Sequence, residues 1–235
     1  MKNQFSRTEI LLGKEGLEKL AKAKVAVFGV GGVGSFAVEG LSRCGIGSLV
    51  LIDSDKVDIT NLNRQIHATY ETIEKYKVDI MEERVLSINP NINVTTYKEF
   101  YTNDNTAKLI KQDYNYIVDA IDSVSSKIDL IVNAKKLNIP IVSSMGTANK
   151  LEPTKLEVAS IYKTIECPLA KIVRKELRKR GIEDLKVVFS REKTKKDLHI
   201  KEGESKLGSV SFVPSVAGMI IASEVVKDIL ELHRN

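Results

Sequence analysis

Gly29-Val-Gly-Gly-Val-Gly34 follows the apolar run that begins at Lys24 and precedes a segment of helical period. Gly29, Gly31, Gly32 and Gly34 there leave backbone N–H groups and the positive end of a helix open to a phosphate, with no Cβ atoms in the way. Asp53 closes a second apolar run 24 residues beyond Gly29, where a carboxylate accepts hydrogen bonds from ribose hydroxyls. To this point a nicotinamide dehydrogenase fits as well as any other nucleotide enzyme. Asp55, then Asn61-Leu-Asn-Arg64-Gln65, Lys77 and Asp122 decide against it. A dinucleotide pyrophosphate has two charges, which amides largely satisfy, whereas a triphosphate has about four and needs cations. Arg64, Lys77 and a metal on Asp122 would supply them, so the set is shaped for ATP.

These residues need a scaffold that brings them to one edge. Strands are predicted at 24–30, 49–53, 92–97, 116–120 and 140–144, and helices at 35–44, 75–88, 104–112 and 125–137. Alternation of this kind implies a Rossmann-like α/β fold, a mostly parallel sheet with helices on both faces. Every candidate residue then falls at the carboxyl ends of strands, where open α/β sheets bind ligands. After Gly146 the rhythm changes. A strand at 156–161, a helix opened by Pro168 and closed by Gly181, a polar loop over 190–209 and a final helix capped by Pro214-Ser215 form a C-terminal annex. The expected organisation is one domain, 1–235, with a nucleotide-binding core at 1–147 and the annex at 148–235.

Length and composition narrow the classes. The chain has 235 residues, 43% hydrophobic and 29% charged, which fits a folded domain and argues against disorder or coiled coil. No stretch approaches the ~20 apolar residues of a membrane span and the N-terminus has no apolar leader, so the expectation is a cytoplasmic protein without membrane attachment. Cys44 and Cys167 belong to no CxxC pair, which removes structural zinc. Net charge is +5, and residues 163–206 hold the whole excess with 14 Lys/Arg against 8 Asp/Glu.

The glycine loop, the Asp53-Ser-Asp55 pair, the Asn61 to Gln65 run, Lys77 and the Asp122 loop together resemble the ubiquitin-activating-enzyme-like (HesA/MoeB/ThiF) superfamily, which adenylates carboxylates. The resemblance implies that Asn61, Arg64 and Lys77 hold the ATP phosphates, that Asp122 binds magnesium, and that Arg7 reaches the active site of the other subunit of a homodimer. One departure is that Glu74-Lys-Tyr76 stands where the superfamily has Gly-x-Pro, which leaves Lys75 and Lys77 both open as the phosphate lysine.

The C-terminal third is similar to the tRNA threonylcarbamoyladenosine dehydratases in Ser143-Ser-Met-Gly146, Asn149-Lys-Leu151, Cys167-Pro-Leu-Ala-Lys171, Arg174-Lys-Glu-Leu-Arg-Lys-Arg-Gly181 and Gly208-Ser-Val-Ser-Phe-Val-Pro-Ser215. This implies ATP-dependent cyclisation of the modified adenosine beside the anticodon, through an acyl-adenylate and with net loss of water. A tRNA partner follows, with Arg174, Lys175, Arg178, Lys179 and Arg180 as the RNA-facing side of the annex helix and Arg191, Lys193, Lys195 and Lys196 along the loop. A monovalent cation and a sulfur-transfer partner stay open. Activation of a ubiquitin-like sulfur carrier and nucleotide binding without turnover are the competing readings. Cys167 is read as a small buried residue rather than a nucleophile, and His67 as a polar-loop residue near the site.

Overall fold

The computed structural model describes residues 3–195 and 207–232. Its strands are β1 (Lys24–Phe28), β2 (Ser48–Ile52), β3 (Asn93–Tyr97), β4 (Tyr116–Asp119), β5 (Ile141–Ser144), β6 (Leu156–Ser160) and β7 (Lys186–Ser190). They form one sheet in the order β3-β2-β1-β4-β5-β7-β6, parallel throughout except for β6, which runs antiparallel to β7. The chain winds outward from β1 to β3 and returns to lay β4 on the other side of β1. That reversal opens a crevice at the carboxyl ends of β1 and β4.

Central strands such as Val25-Ala-Val-Phe28 and Leu49-Val-Leu-Ile52 are apolar on both faces because helices cover both. On one face α2 (Gly34–Cys44), α3 (Lys77–Ile88) and α7 (Phe212–Ile229) bury Leu41, Met81 and Ile221 against Val27 and Leu51. On the other, α5 (Val124–Lys136) and α6 (Pro168–Lys179) bury Leu130, Ile131, Val173 and Leu177 against Phe28 and Val187. Each such side chain contributes about 1.5–3 kcal/mol when fully removed from water. Small residues let α7 lie directly on α2: a Cβ on Gly218 would come 2.3 Å from the Val33 carbonyl oxygen, and one on Gly40 2.7 Å from the Ala222 Cβ. This close packing brings Pro214 over Gly32 and so makes the annex a wall of the crevice.

Several elements differ from expectation. Helix α1 (Ser6–Lys22) was not anticipated, because a turn at Gly13 (φ 69°) interrupts it and only Gly16 and Leu20 are buried. Strand β7 was not assigned either, yet it lies between β5 and β6 and ties the annex into the same sheet. The helix expected over 104–112 shortens to α4 (Thr106–Leu109), preceded by a 3-10 turn. Helix α7 starts at Phe212, with Pro214 inside its first turn rather than capping it. Of the loop expected over 190–209, residues 196–206, with Lys196 and His199, lie outside the described residues, as does His233. Its two flanks are tied to Asn149, whose carbonyl accepts from Lys195 N–H at 3.1 Å and whose Oδ1 accepts from Gly208 N–H at 2.6 Å. Among the described residues no helix is long and apolar enough to cross a membrane.

Candidate active site

A cleft of about 710 Å³ lies at the switch point. Gly29, Gly31 and Gly32 form its floor, and Asp53, Asp55, Asn61, Arg64, Gln65, Lys77 and Asp122 all reach it. Gly34 does not line it. The four glycines separate into two kinds. A Cβ on Gly34 would lie 1.8 Å from the Gly29 carbonyl oxygen, and one on Gly29 (φ +86°) would lie 2.6 Å from the Ala120 oxygen, so these two serve the turn itself. A Cβ on Gly31 would meet only Gln65 Nε2, at 3.9 Å. Gly31 is therefore free of any packing demand, and its missing side chain matters to whatever enters the cleft.

Asp53 is fixed from two sides. Its Oδ2 accepts from Val30 N–H at 2.7 Å and its Oδ1 from Asp55 N–H at 2.8 Å. Burial pushes its pKa up, against the opposing pull of Lys77 and the two N–H groups. Lys77 opens α3; its Nζ donates to Asp55 Oδ2 at 2.7 Å, and only 6% of the residue is exposed. Lys75 is exposed and does not line the cleft, so Lys77 is the lysine that faces it. Glu74, where the superfamily has glycine, holds φ +65°. The left-handed turn that delivers Lys77 is thus kept without the residue type that favours it.

A 3-10 turn places the next group. Asp58 Oδ1 accepts from Thr60 N–H at 2.8 Å while Asn61 Oδ1 accepts from Asp58 N–H at 3.1 Å, a reciprocal cap that orients the turn. Arg64 Nη1 donates to the Thr60 carbonyl at 2.8 Å and to Asn63 Oδ1 at 2.9 Å, with no carboxylate partner among the described residues. Asn63 Nδ2 in turn donates to the Ser209 carbonyl at 2.9 Å, joining this turn to the lead into α7. Gln65 Oε1 and both ring nitrogens of His67 are buried without a hydrogen-bond partner among the described residues. His67 lies in a loop as expected but is only 3% exposed, and burial with Lys77 and Arg84 nearby lowers its pKa to about 4.

Asp122 is exposed, and its carboxylate has no partner among the described residues. Beneath its loop lies a cluster that sequence reading missed. Lys127 and Asp119 are both fully buried; Lys127 Nζ donates to both Asp119 oxygens at 2.9 Å and to the Ser144 carbonyl at 3.1 Å. Ser143 Oγ donates to Asp119 Oδ2 at 2.5 Å. This cluster locks the ends of β4 and β5, which carry Asp122 and the Met145-Gly146 wall. The eight-residue spacing of Asp119 and Lys127 crosses from a strand end to a helix, so no single periodicity exposes it.

A family model described as the ThiF family matches residues 5–235. The chain belongs to the ThiF family. A Bacillus subtilis protein named tRNA threonylcarbamoyladenosine dehydratase is 45% identical over 244 residues, covering 98% of this chain and 96% of the relative. The Escherichia coli protein of that name is 42% identical over 177 residues, which is 75% of this chain and 66% of the relative. The crystal structure of that enzyme, TcdA, in complex with ATP superposes with a TM-score of 0.90 at 35% identity, covering 97% of this chain and 94% of the other.

Two sets of expected functional residues, Arg7 and the basic run of α6, stand apart from the cleft. Arg7 is exposed on α1 and does not line it. On α6, Arg174 Nη1 is committed to the Thr164 carbonyl at 2.9 Å and the Thr164 hydroxyl at 2.7 Å, so it staples the preceding turn to the helix. Lys179 and Arg180 pair with Glu176 at 2.8 and 2.7 Å, and these partners hold the Glu176 carboxyl down to about 2. Lys175 and Arg178 are exposed without carboxylate partners among the described residues, and Arg178 lies over the Tyr162 ring at 5.2 Å. Arg191 is paired with Glu157 at 2.7 Å. Cys167 is buried as expected, its Sγ 4.0 Å from where a Cβ on Gly146 would lie.

Proposed function

We propose that this chain is an ATP-dependent tRNA-modifying enzyme that adenylates the threonyl carboxylate of threonylcarbamoyladenosine beside the anticodon and cyclises it with net loss of water. The observation that carries this reading is the convergence in one cleft of Lys77, the side-chain-free floor at Gly31, and Arg64 and the Asp122 carboxylate, neither of which has a charged partner among the described residues. The names of the relatives supply the substrate.

Both steps follow from charge and position. In the first, a substrate carboxylate oxygen bonds to the α-phosphorus and pyrophosphate leaves with the electrons of the broken bond. Two anions must approach, so Arg64 and Lys77 lower the repulsion and stabilise the departing charge. Lys77 has three N–H donors and spends one on Asp55, which aims the others. Asp53 orients the ribose. In the second step a nucleophile within the carbamoyl group attacks the acyl carbon and AMP leaves. That nucleophile is already attached to the substrate, so the protein need only hold the near-attack geometry, and no protein thiol is required.

Magnesium fits the donor set. Among the described residues no cluster of three His, Cys, Asp or Glu could hold a metal alone, and magnesium binds through one or two carboxylates with phosphate oxygens completing its shell. Asp122 would be the protein ligand, and the ion when bound would neutralise phosphate charge.

Residues 1–147 act as the nucleotide-binding core and 148–235 as the annex that closes the acceptor side. Contact with RNA rests on Lys175 and Arg178, whose charges no carboxylate among the described residues neutralises. A second copy of the chain, forming a cytoplasmic homodimer, covers the exposed apolar side chains of α1 (Ile10, Leu11) and of α7 (Phe212, Val216, Met219), and places Arg7 of each subunit toward the other's cleft. The test is mass spectrometry of nucleosides from tRNA bearing threonylcarbamoyladenosine after incubation with the protein, ATP and magnesium. The expected outcome is loss of one water in step with AMP release. An intact nucleoside despite bound ATP would assign the adenylating cleft to another carboxylate.

A further inference from the structure

A short strap of chain, Leu207 to Ser209, lines the cleft beside Thr147 and Ala148, which continue the Met145-Gly146 wall. It is held from two sides. Toward the wall, Gly208 N–H donates to Asn149 Oδ1 at 2.6 Å. Toward the phosphate turn, the Ser209 carbonyl accepts from Asn63 Nδ2 at 2.9 Å, and Asn63 Oδ1 accepts from Arg64 Nη1 at 2.9 Å. The wall end is a firm anchor. Asn149 holds φ +59°, a left-handed conformation that asparagine adopts more readily than most residues. Just beyond it, Leu151 and Glu152 N–H both donate to the Glu192 carboxylate at 2.9 Å, and the buried Lys150 ammonium donates to the Glu192 carbonyl. Past Ser209 the chain comes down onto the glycine floor: a Cβ on Gly32 would lie 3.2 Å from Pro214 Cβ and 3.5 Å from Arg64 Cγ.

The middle link sets the direction of the whole chain of bonds. A guanidinium only donates and a carbonyl only accepts, so the Asn63 amide can satisfy Arg64 and Ser209 together in one orientation alone. Ser209 therefore fixes which atom Asn63 turns toward Arg64. With both Nη1 N–H groups placed on the Thr60 and Asn63 oxygens, the Nε and Nη2 donors of Arg64 are left for an anion. Resting on the reading that the cleft takes ATP, we propose that Asn63 is a positioning residue for Arg64, and that it depends on the Leu207–Ser209 strap being seated on Asn149. The wall on the acceptor side and the arginine on the phosphate side are then set by one run of hydrogen bonds, Asn149 to Gly208 and Ser209 to Asn63 to Arg64. Neither asparagine touches the reacting atoms; each acts through its neighbour.

The experiment compares wild type with Asn63→Ala, Asn149→Gly, Asn149→Asp and the Asn63→Ala/Asn149→Gly double variant, by calorimetric titration with ATP and with adenosine and by the rate of AMP formation on the modified tRNA. Asn149→Gly keeps the left-handed backbone and removes the oxygen that holds Gly208; Asn149→Asp keeps both. Asn63→Ala and Asn149→Gly are each expected to weaken ATP about fivefold and to slow AMP formation about tenfold, the scale of a misplaced phosphate donor. Adenosine affinity should stay within about twofold, because Arg64 answers to the phosphates, and Asn149→Asp should match wild type. The double variant should be no worse than the poorer single variant by more than about twofold, since both release the same unit. In an Arg64→Ala background, Asn63→Ala should add nothing. Losses that multiply in the double variant overturn the proposal, as does wild-type ATP affinity in either single variant, or an equal loss for adenosine, which would mean that the cleft had loosened as a whole. If wild type binds ATP but leaves the modified tRNA unchanged, the function proposed above fails while the ATP titrations still decide this assignment; if wild type binds no ATP, both fall.

Discussion

The two ends of the same parallel strands handle charge in opposite ways. At the amino edge, Lys186 pairs with Asp228 at 2.6 Å and with Glu224 at 3.3 Å, Lys227 pairs with Glu224 at 2.9 Å, and the Tyr116 hydroxyl donates to Asp228 at 2.6 Å. Each of these charges finds a complement within the chain. Among the described residues Arg64 and Asp122, at the carboxyl edge, have no charged partner, and Gln65 and His67 bury atoms with no hydrogen-bond partner. The carboxylates record the contrast. Burial pushes both Asp53 and Glu224 up, but at Glu224 the lysines more than reverse it, whereas at Asp53 the net shift stays upward. At the amino edge these groups are satisfied by folding; at the carboxyl edge Asp119 with Lys127 and Asp55 with Lys77 are too, but Arg64, Asp122, Gln65 and His67 are left unmatched among the described residues.

The sharpest way to break that contrast is to remove the groups left unmatched. Arg64→Ala and Asp122→Ala should each reduce AMP formation by at least about 100-fold, the scale of one lost charge-stabilising donor. Their thermal unfolding should match wild type, since neither side chain supports the core. Rate loss accompanied by a large fall in Tm would show that these residues serve folding, as those of the amino edge do.

The glycine turn divides the same way within six residues. Gly34→Ala forces a side chain onto the Gly29 carbonyl and should cost about 3 kcal/mol or more of stability. Gly31→Ala has room in the folded protein and should leave the denaturant midpoint unmoved while weakening ATP by about tenfold, through crowding of the phosphates. Equal losses of stability in the two variants would make the turn a packing device throughout.

Legibility in the sequence followed this division. The βαβ rhythm could be read because buried parallel strands are continuous apolar runs, and the glycine turn and the Asn61 to Gln65 run could be read because they lie beyond the carboxyl ends of β1 and β2, where they line the cleft. Spacing does not reveal that Gly29 and Gly34 answer to backbone contacts across the turn, while a Cβ on Gly31 would meet only Gln65. Helix α1 went unseen because Gly13 interrupts a weak apolar pattern. Strand β7 was hidden because Lys186-Val-Val-Phe-Ser190 adjoins a charged stretch and its place between β5 and β6 is a long-range fact. The basic run on α6 looked like one RNA surface, since composition cannot show that Arg174 caps carbonyls and that Glu176 absorbs Lys179 and Arg180.

His67 carries the strain of the carboxyl edge into a pH dependence. Its ordinary value is 6.5 and its folded value about 4, with Lys77 and Arg84 the charges that face it. Between those values the unfolded chain binds a proton that the folded chain refuses, so stability falls as pH drops, by about 1.4 kcal/mol per unit and about 3 kcal/mol across the window. His67→Leu should flatten this limb, because an apolar side chain of similar size has nothing to protonate and leaves no unpaired nitrogen. Wild-type unfolding that is flat from pH 6.5 to 4, once the carboxylates are accounted for, would show that the imidazole finds a partner in solution.

The amino edge should give the smallest effect. Glu224 has its carboxyl held below the usual range by Lys227 and Lys186, so its contribution is present in full above its ordinary value of 4.5 and is lost as pH falls through the folded value. Glu224→Gln removes that charge, but Lys186 keeps Asp228 and Lys227 is open to water, so no ion is left stranded. The cost should be only about 1 kcal/mol at neutral pH, shrinking toward zero in acid, with the rate of AMP formation unchanged. A loss several times larger would mean that the lysines depend on Glu224 as closely as Lys127 depends on Asp119, and the amino edge would then be as finely poised as the site it supports.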